Sequence, residues 1–327
     1  MVECRVARSG FQAEDTGAER FDEASGKKKT LRQANVPVFP PNSIIHEKYV
    51  VVDEIARGTF GKVLKVKEIN NDDDTYVMKV QDCTENNASY LAEFLVLGRC
   101  RGVAGFPFLL DRFSFVRNDQ HLGCLVTSDE GETFRTTIQR RNFFILPSNI
   151  LKIGWRILAA LTHLHGLGLI HCDLHFLNVL FRRNWAGELL VTLIDFGHCR
   201  SQDSPNRRFN GVKWHTPIRV AQGQDYTIYD DIVSMTYLLG LCCGVNPFGN
   251  DENTFLDRKV RFHADPMSYF GLQITQWIPN IHKILDRQRQ QGYNREEIVR
   301  MFKTCIPEVD PADDIVYTFA ENHIHIH

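Results

Sequence analysis

Hydrophobic and polar positions follow two different rhythms along the chain, and the change of rhythm divides it. From Tyr49, β-branched runs are broken by glycine or by an acidic NNDDD turn, which predicts three antiparallel strands: YVVVDEIARG, KVLKVKEI and TYVMKVQDC. The next stretch, ASYLAEFLVLGRC, has apolar residues at helical spacing and predicts one helix. Two more strands are predicted around FLLDRFSF and GCLVTS. Together these elements predict a small lobe made of a sheet and one helix.

After Gly131 the pattern becomes mainly helical. An apolar stripe that includes Ile150, Ile157 and Leu164 predicts a helix capped by Ser148. The apolar run at 232–245 is too short to cross a bilayer and predicts a buried helix. The sequence therefore predicts an α+β fold with two lobes, of which the second is larger and mostly helical.

The same pattern predicts the boundaries of the folded part, residues 43–320. We expect an N-terminal extension at 1–42 and a tail at 321–327. Between them, the first lobe is expected at about 45–128, a connecting segment at about 128–131 and the second lobe at about 132–320. The extension is polar and charged, so we expect it to be mostly disordered. The tail carries three histidines and is expected to be frayed, although histidines at this spacing could instead chelate a metal.

Composition limits the classes of binding partner and the cellular compartment that we expect for this protein. The net charge of the 327 residues is −2, so no overall basic field favours nucleic acid, and no apolar segment favours a membrane. Nine scattered cysteines without a CxxC pair are typical of free thiols in a reducing compartment. We expect an intracellular protein, cytoplasmic or nuclear, whose oligomeric state the composition does not determine.

Two segments carry the polar groups that phosphoryl transfer requires. LIHCDLHFLNVL contains His171, Asp173 and Asn178, and VTLIDFG places Asp195 22 residues after Asp173. Transfer from Mg–ATP needs carboxylate and amide oxygens on Mg²⁺ and a carboxylate that orients the acceptor hydroxyl. The two segments resemble the catalytic loop and the DFG segment of the protein kinase family.

The resemblance implies a bilobal kinase fold and assigns a role to each matching residue. Asp173 would accept the proton of the substrate hydroxyl, and Asn178 and Asp195 would hold Mg²⁺. His171 and Phe196 would belong to the packed spine that sets the active geometry. The implied cofactors are ATP and Mg²⁺.

A glycine-rich turn and a lysine extend the resemblance into the first lobe. IARGTFGKV lies between two predicted strands, and Lys79 follows Val63 by 16 residues. Lys79 would contact the α- and β-phosphates, and Glu93 on the predicted helix would be its partner. Thr127 would be the gatekeeper, followed by a hinge at 128–131. The implied ATP contacts are Ile55, Gly58, Gly61, Val63, Val77, Lys79, Thr127, Asp129, Glu130, Leu180 and Asp195.

The segment from Gly211 to Asp231 narrows the resemblance to one group of kinases. GVKWHTP and the later YDDIVSM are similar to segments of the casein kinase 1 group, which includes the tau-tubulin kinases and, more distantly, the vaccinia-related kinases. Asp231 would then be a buried aspartate that bonds the catalytic-loop backbone. The group acts on Ser or Thr of proteins with acidic or phosphorylated flanks. Such an anion could meet three basic residues, Arg207, Arg208 and Lys213.

Four departures from the kinase pattern bear on activity. Ala56 replaces a glycine of the glycine-rich turn, and Val77 stands where a smaller alanine is usual above adenine. Cys172 replaces an arginine that often anchors a phosphate on the activation segment, which is short here. We therefore expect that segment to be ordered without phosphorylation.

The fourth departure, His175, is the most serious. Kinases usually have lysine at this position, where it neutralises charge on the γ-phosphate, and a neutral imidazole carries less charge at pH 7. Loss of one such stabilising group costs about 3 kcal/mol, on the order of 100-fold in rate. We expect His175 to take this catalytic role in a slow enzyme that is faster when the imidazole is protonated.

Two alternatives to an active protein kinase stay open. A pseudokinase scaffold would explain His175 and Cys172, although the polar catalytic positions Lys79, Glu93, Asp173, Asn178 and Asp195 are all present. HCDLHFLN is also similar to the H-G-D-L-H-x-x-N segment of small-molecule phosphotransferases of the choline kinase and aminoglycoside kinase type. The DFG segment, the glycine-rich turn and residues 211–231 favour a protein kinase over that reading.

Overall fold

The computed structural model describes most of the chain beyond its first residues. The described ranges are 19–22, 27–30, 36–58, 61–71, 74–84, 87–141, 143–204 and 211–327. Most of the predicted extension, Thr59 and Phe60 of the glycine-rich turn, and Arg207 and Arg208 lie outside them. In the extension, strand β1 (Glu19–Asp22) pairs antiparallel with strand β2 (Lys27–Thr30).

The first lobe is a six-stranded antiparallel sheet with one helix. Its strands are β3 (Ile44–Ile45), β4 (Tyr49–Gly58), β5 (Gly61–Glu68), β6 (Tyr76–Asp82), β7 (Leu109–Arg117) and β8 (Gln120–Ser128), in the order β3-β4-β5-β6-β8-β7. The helix α1 (Ala88–Arg99) begins where the Asn87 side chain accepts a hydrogen bond from the Tyr90 N–H. All five predicted strands and the predicted helix are confirmed, whereas β3, only two residues long, was not predicted.

The ordered first lobe begins earlier than the sequence predicts. Val36 and Phe39, inside the expected disordered extension, are buried in the core of the sheet. Phe39 also packs edge-on against Phe115, with ring centroids 6.3 Å apart. The prediction that the extension is disordered up to residue 42 is therefore wrong for its last residues. It was based on the polar composition of residues 1–42 as a whole, which gives no weight to two single apolar residues.

The second lobe is mostly helical and carries short strands. Its helices are α2 (Phe134–Gln139), α3 (Pro147–Gly166), α4 (Ile218–Ala221), α5 (Ile228–Cys242), α6 (Phe255–Ala264), α7 (Trp277–Gln291) and α8 (Arg295–Thr304). Its strands are β9 (Glu132–Thr133), β10 (Leu169–Ile170), β11 (Val179–Arg183), β12 (Leu189–Leu193) and β13 (Arg200–Ser201). They form the sheets β12-β11-β9 and β10-β13. The predicted α+β bilobal fold is confirmed.

Two helices of this lobe test the predictions directly. Helix α5, which contains the apolar run up to Cys242, is almost entirely buried, as predicted. Helix α3 ends at Gly166 as predicted but begins at Pro147, and no side chain caps it, so the prediction of a Ser148 cap is wrong. Proline suits the first helical position because its missing N–H would have no partner there. No helix in the described part of the chain has the length and apolar character needed to cross a membrane.

The expected frayed tail is a hairpin instead. Strand β14 (Tyr317–Ala320) pairs with β15 (His323–Ile326), whose two isoleucines are buried, whereas His323 is exposed and His325 is partly buried. Asn149 of α3 donates to the carbonyl of His327 (2.6 Å), and Arg140 donates to that of Ile324 (2.8 Å). The prediction of a frayed tail is therefore wrong, because alternate isoleucines give the last residues a buried face.

Gly61, at the start of β5, occupies a backbone conformation that favours glycine. Its φ is +153°, and a Cβ built there would collide with the carbonyl oxygen of Val80. We expect Gly61→Ala to lower the free energy of unfolding by about 1–3 kcal/mol, since the strain has no outlet in the paired strand. Chemical denaturation measures this loss directly.

Gly58 provides the matched control because a Cβ added there meets no described atom within 4 Å. Gly58→Ala should leave the free energy of unfolding unchanged or slightly higher, through a less flexible unfolded chain. Equal effects of the two substitutions would show that the backbone at Gly61 is not restricted as the structure describes.

Candidate active site

Asp173 lies in the loop between β10 and β11 and is surrounded by imidazole rings. One carboxylate oxygen, Oδ1, is 2.9 Å from Nε2 of His215, and the other, Oδ2, is 3.5 Å from Nε2 of His175. Nε2 of His198, just after the DFG segment, is 3.9 Å from Oδ2. The Asp173 side chain is buried, so these rings supply most of its polar surroundings.

The surroundings of Asp173 keep it ionised. Burial opposes the charged form, but hydrogen bonds from His175 and His215 outweigh it and hold the pKa of Asp173 well below its usual range. Burial also lowers the pKa of His215 to about 3, and it lowers the pKa of His198. His215 is therefore a neutral imidazole at pH 7, and its Nε2–H donates to a carboxylate that can still accept a proton.

Asp231 of helix α5 fixes the backbone that carries Asp173. Its fully buried carboxylate accepts hydrogen bonds from the N–H groups of His171 (2.8 Å) and Cys172 (2.9 Å). Cys172 has a φ of +66°, a left-handed conformation that costs energy for a residue with a Cβ. The contact predicted for Asp231 is therefore present, and it holds the loop in this strained conformation.

A third partner of Asp231 was not predicted. His165, near the end of α3, places Nε2 2.9 Å from Oδ2 of the carboxylate. Helix α3, helix α5 and the catalytic loop thus meet at one buried group.

Lys79, Glu93 and Asp195 meet at the boundary between the lobes. The ammonium group of Lys79 on β6 lies 2.6 Å from Glu93 Oε2 on α1 and 2.7 Å from Asp195 Oδ1. Burial disfavours the charge on Lys79, but the two carboxylates outweigh it and raise the pKa. The cluster places a permanent cation where the resemblance expects ATP phosphates, while the roles in ATP binding stay predictions.

Asn178 and Asp195 have the chemistry of magnesium ligands. Nδ2 of Asn178 donates to the backbone carbonyl of Asp173 (2.9 Å), which leaves the amide Oδ1 as the atom that can bind a cation. Asp195 offers a carboxylate and has a left-handed backbone, with a φ of +61°. Mg²⁺ prefers oxygen ligands from one or two protein groups together with phosphate oxygens, so these residues fit the ion.

The aromatic residues predicted for the spine are in contact. The ring of Phe196 lies 5.3 Å from that of His171 and 5.7 Å from that of Phe106, measured between centroids. Both His171 and Phe196 are fully buried. The DFG segment is therefore packed against the catalytic loop.

The remaining predicted ATP contacts lie along the sheet that faces this cluster. Val63 on β5 is paired with Lys79, and Val77 is paired with Thr127, so strand register places them side by side. Gly58 pairs with Gly61 at the turn, whereas Ile55 lies at a bulge and is 53% exposed. Leu180, on β11 of the second lobe, is half-buried.

The hinge is held by the side chains of Asp129 and Glu130. Glu130 is buried and accepts hydrogen bonds from Ser128 Oγ (2.5 Å) and Thr192 Oγ1 (2.9 Å). Asp129 accepts from the Gly131 N–H at 3.0 Å and pairs with Lys65 at 3.1 Å. Both carboxylates thus fix the hinge to its neighbours, and base recognition by the backbone of these residues stays a prediction.

The sequence analysis missed two of the imidazoles around Asp173. His198 directly follows the predicted DFG segment, and His215 lies within the segment used to recognise the kinase group. Their positions inside predicted site segments were the available signal. Their convergence on Asp173 could not be read from spacing, since His215 is 42 residues away in the chain.

Comparison with known proteins agrees with this geometry. A family profile described as protein kinase domain matches residues 49–311. The chain belongs to the protein kinase family. A solved structure of vaccinia related kinase 3 superposes with a TM-score of 0.65, covering 86% of this chain and 95% of that one. At 12% identity, this second likeness bears on the fold alone.

Curated relatives include kinases of the group that the sequence resembles. A probable casein kinase I homolog of Encephalitozoon cuniculi is 27% identical over 206 residues, 58% of this chain and 61% of that protein. A putative serine/threonine-protein kinase of Caenorhabditis elegans is 28% identical over 228 residues, 67% of this chain and 50% of that protein. The chain thus spans half to about three fifths of these relatives. The resemblance to the casein kinase 1 group is confirmed.

Proposed function

We propose that this chain is an active but slow protein serine/threonine kinase, which transfers the γ-phosphoryl group of Mg–ATP to protein hydroxyls. The observation that carries the proposal is the buried, ionised Asp173 carboxylate, held close to a complete Lys79–Glu93–Asp195 cluster. A scaffold that only binds nucleotide has no need of a strained loop anchored to keep one carboxylate charged.

The residues divide the work of transfer as follows. Asp173 orients the acceptor hydroxyl and takes its proton, since its carboxylate is charged and the imidazole at Oδ2, His175, is partly exposed and 3.5 Å away, so that a hydroxyl can take its place. Lys79 balances negative charge on the α- and β-phosphates, and Glu93 keeps its ammonium group in place. Asn178 and Asp195 would hold Mg²⁺, which supplies charge neutralisation on the transferred phosphoryl group.

Substrates with acidic or phosphorylated flanks follow from the resemblance to the casein kinase 1 group. Lys213, two residues before His215, is the member of the proposed anion-binding basic set that the structure describes. The cysteines in the described ranges are all free thiols, which supports our proposal of an intracellular site of action.

The direct test incubates the purified protein with labelled Mg–ATP and casein, an acidic and serine-rich protein, beside an Asp173→Asn variant. Label on casein serine or threonine that disappears in the variant supports the proposal. Absence of transfer by a folded, ATP-binding protein would contradict it and favour the scaffold. That alternative has one specific observation in its favour, the His215 hydrogen bond that occupies Asp173 Oδ1.

His175 is the reason to expect slow transfer. Its Nε2 lies 3.5 Å from Asp173 Oδ2, so the carboxylate would partly neutralise any positive charge on the imidazole. We expect His175→Lys to raise kcat on the order of 100-fold, because a longer ammonium side chain can reach the γ-phosphate. Steady-state transfer at saturating Mg–ATP measures the change.

A matched control for His175→Lys is available on helix α6. His263 is partly exposed and pairs with Asp286 at 3.3 Å, a contact that lysine can also make. His263→Lys adds the same charge away from the site and should leave kcat unchanged. A His175→Lys enzyme that is no faster than wild type would show that this position does not limit transfer.

A further inference from the structure

Three side chains at the proposed active site form a group with the composition of a transition-metal site. Ligand atoms of Asp173, His175 and His215 all lie within 4.8 Å of one another. Among the residues that the structure describes, this is the one group of three histidine, cysteine or acidic side chains gathered so closely. From these distances, we propose that Asp173, His175 and His215 bind Zn²⁺, and that the bound ion inhibits the proposed kinase.

The spacing of the ligand atoms suits zinc. Bonds of 2.0–2.2 Å at tetrahedral angles place neighbouring ligand atoms about 3.4 Å apart. The Asp173 oxygens lie 2.9 Å from His215 Nε2 and 3.5 Å from His175 Nε2, and the two imidazole centroids are 4.7 Å apart. Small rotations of the rings would therefore complete three bonds, and the fourth position would be open to water or to His198.

The imidazole protons would have to move for zinc to bind. The ion requires neutral imidazoles and an ionised carboxylate. Zinc on His215 Nε2 would displace the proton that this atom donates to Asp173, and the proton would move to Nδ1, which has no hydrogen-bond partner among the described residues. His175 Nδ1 accepts from the Leu177 N–H at 3.2 Å, so zinc at Nε2 requires the His175 proton to move to Nδ1 and this contact to break. His175 is partly exposed, and water can replace that contact.

His215 is held in position by contacts outside the group. Its carbonyl accepts a hydrogen bond from Ser234 Oγ of helix α5 at 3.0 Å. The neighbouring Trp214 carbonyl accepts one from the buried Lys259 of helix α6 at 2.5 Å. The ligand is therefore presented by two helices, and metal binding would not have to order a loose segment.

Zinc at this position would inhibit transfer by a defined route. It would occupy the Asp173 oxygens that accept the substrate proton, while leaving Lys79 and the proposed magnesium ligands Asn178 and Asp195 unused. Because Mg²⁺ takes oxygen ligands, excess Mg²⁺ should not displace an ion bound through two imidazoles. Inhibition should therefore persist when Mg–ATP is raised to saturation.

Zinc binding is measured first without ATP, by competition with a chromophoric chelator. We expect wild type to bind one more equivalent of Zn²⁺ than His175→Lys or His215→Gln, since loss of a ligand lowers affinity on the order of 100-fold or more. His263→Ala should bind as wild type does. The terminal histidines are present in every variant, so binding there cancels in the comparison. Equal zinc stoichiometry in wild type and the two ligand variants would overturn the proposal.

Transfer to casein at buffered free Zn²⁺ then tests the inhibition. Wild type should lose activity and recover it with a chelator, while His175→Lys should stay active at the same zinc concentration. Inhibition that excess Mg²⁺ relieves equally in both proteins would place zinc at Asn178 and Asp195 and overturn the proposal. The inference of inhibition depends on the proposed function, but the binding comparison does not. A protein that binds zinc as described and transfers no phosphate would refute only the kinase activity and the inhibition.

Discussion

Replacing Asp173 with asparagine is expected to lower phosphoryl transfer on the order of 1,000-fold, as loss of a positioned general base typically does. The structure makes the substitution clean. The asparagine amide oxygen can still accept the 2.9 Å hydrogen bond from His215, so the packing around residue 173 should survive. What is lost is the charged oxygen that takes the hydroxyl proton. The measurement is kcat for casein at saturating Mg–ATP.

Two companion measurements separate chemistry from folding and binding. The Kd for Mg–ATP of Asp173→Asn should match that of wild type, since the Lys79–Glu93–Asp195 cluster is untouched, and thermal unfolding should show the variant fully folded at the assay temperature although less stable, because the neutral amide loses the interactions that favour the charged carboxylate. Asp257→Asn, an exposed change of the same kind on helix α6, should transfer at the wild-type rate. If Asp173→Asn keeps more than a tenth of wild-type transfer, Asp173 is not the base.

The parts of this protein that sequence predicts well are those encoded locally. The strands β4, β5 and β6 follow from alternation and turn residues, and Lys79 falls at a fixed distance beyond the glycine-rich turn. The kinase resemblance also anticipates Glu93 as the partner of Lys79, whereas the second partner, Asp195, was not predicted. The 2.6 Å contact with Glu93 is a long-range result that periodicity alone could not give.

The features that the sequence does not predict are contacts between residues that are far apart in the chain. His215 reaches Asp173 because helix α5, through Ser234, and helix α6, through Lys259, hold its backbone. No sequence pattern around Ser234 or Lys259 indicates that these residues position a functional site. The last residues likewise read as a short polar tail in the sequence. In the structure they form a strand, β15, and the next residue, His327, accepts a hydrogen bond from Asn149 of helix α3.

The departure from the kinase pattern at His175 bears on both proposals. Read singly, His175 is a weak substitute for lysine. Beside His215 and Asp173, it completes a group of nitrogen and oxygen ligands that a lysine would destroy, because an ammonium group cannot bind a metal while it is charged. The same substitution would therefore account both for the proposed slow transfer and for the proposed sensitivity to zinc.

Asp231→Asn is expected to cost roughly 3 kcal/mol of the free energy of unfolding and to lower kcat on the order of 100-fold. The buried carboxylate accepts from the His171 N–H, the Cys172 N–H and His165. An asparagine turns one of its acceptors into a donor that faces another donor. With the anchor weakened, Cys172 can leave its left-handed conformation, and the next residue, Asp173, moves away from the acceptor hydroxyl.

The neighbouring Asp230 distinguishes a lost anchor from general damage to helix α5. Its carboxylate is also buried, but it pairs with Arg289 at 2.6 Å and accepts from Thr227, away from the catalytic loop. Asp230→Asn should therefore lower stability while the folded fraction keeps its kcat. Denaturation curves and transfer rates corrected for the folded fraction decide between the two. If both variants lose stability and neither loses kcat, the Asp231 bonds stabilise the fold without positioning Asp173, and the strained loop has no part in transfer.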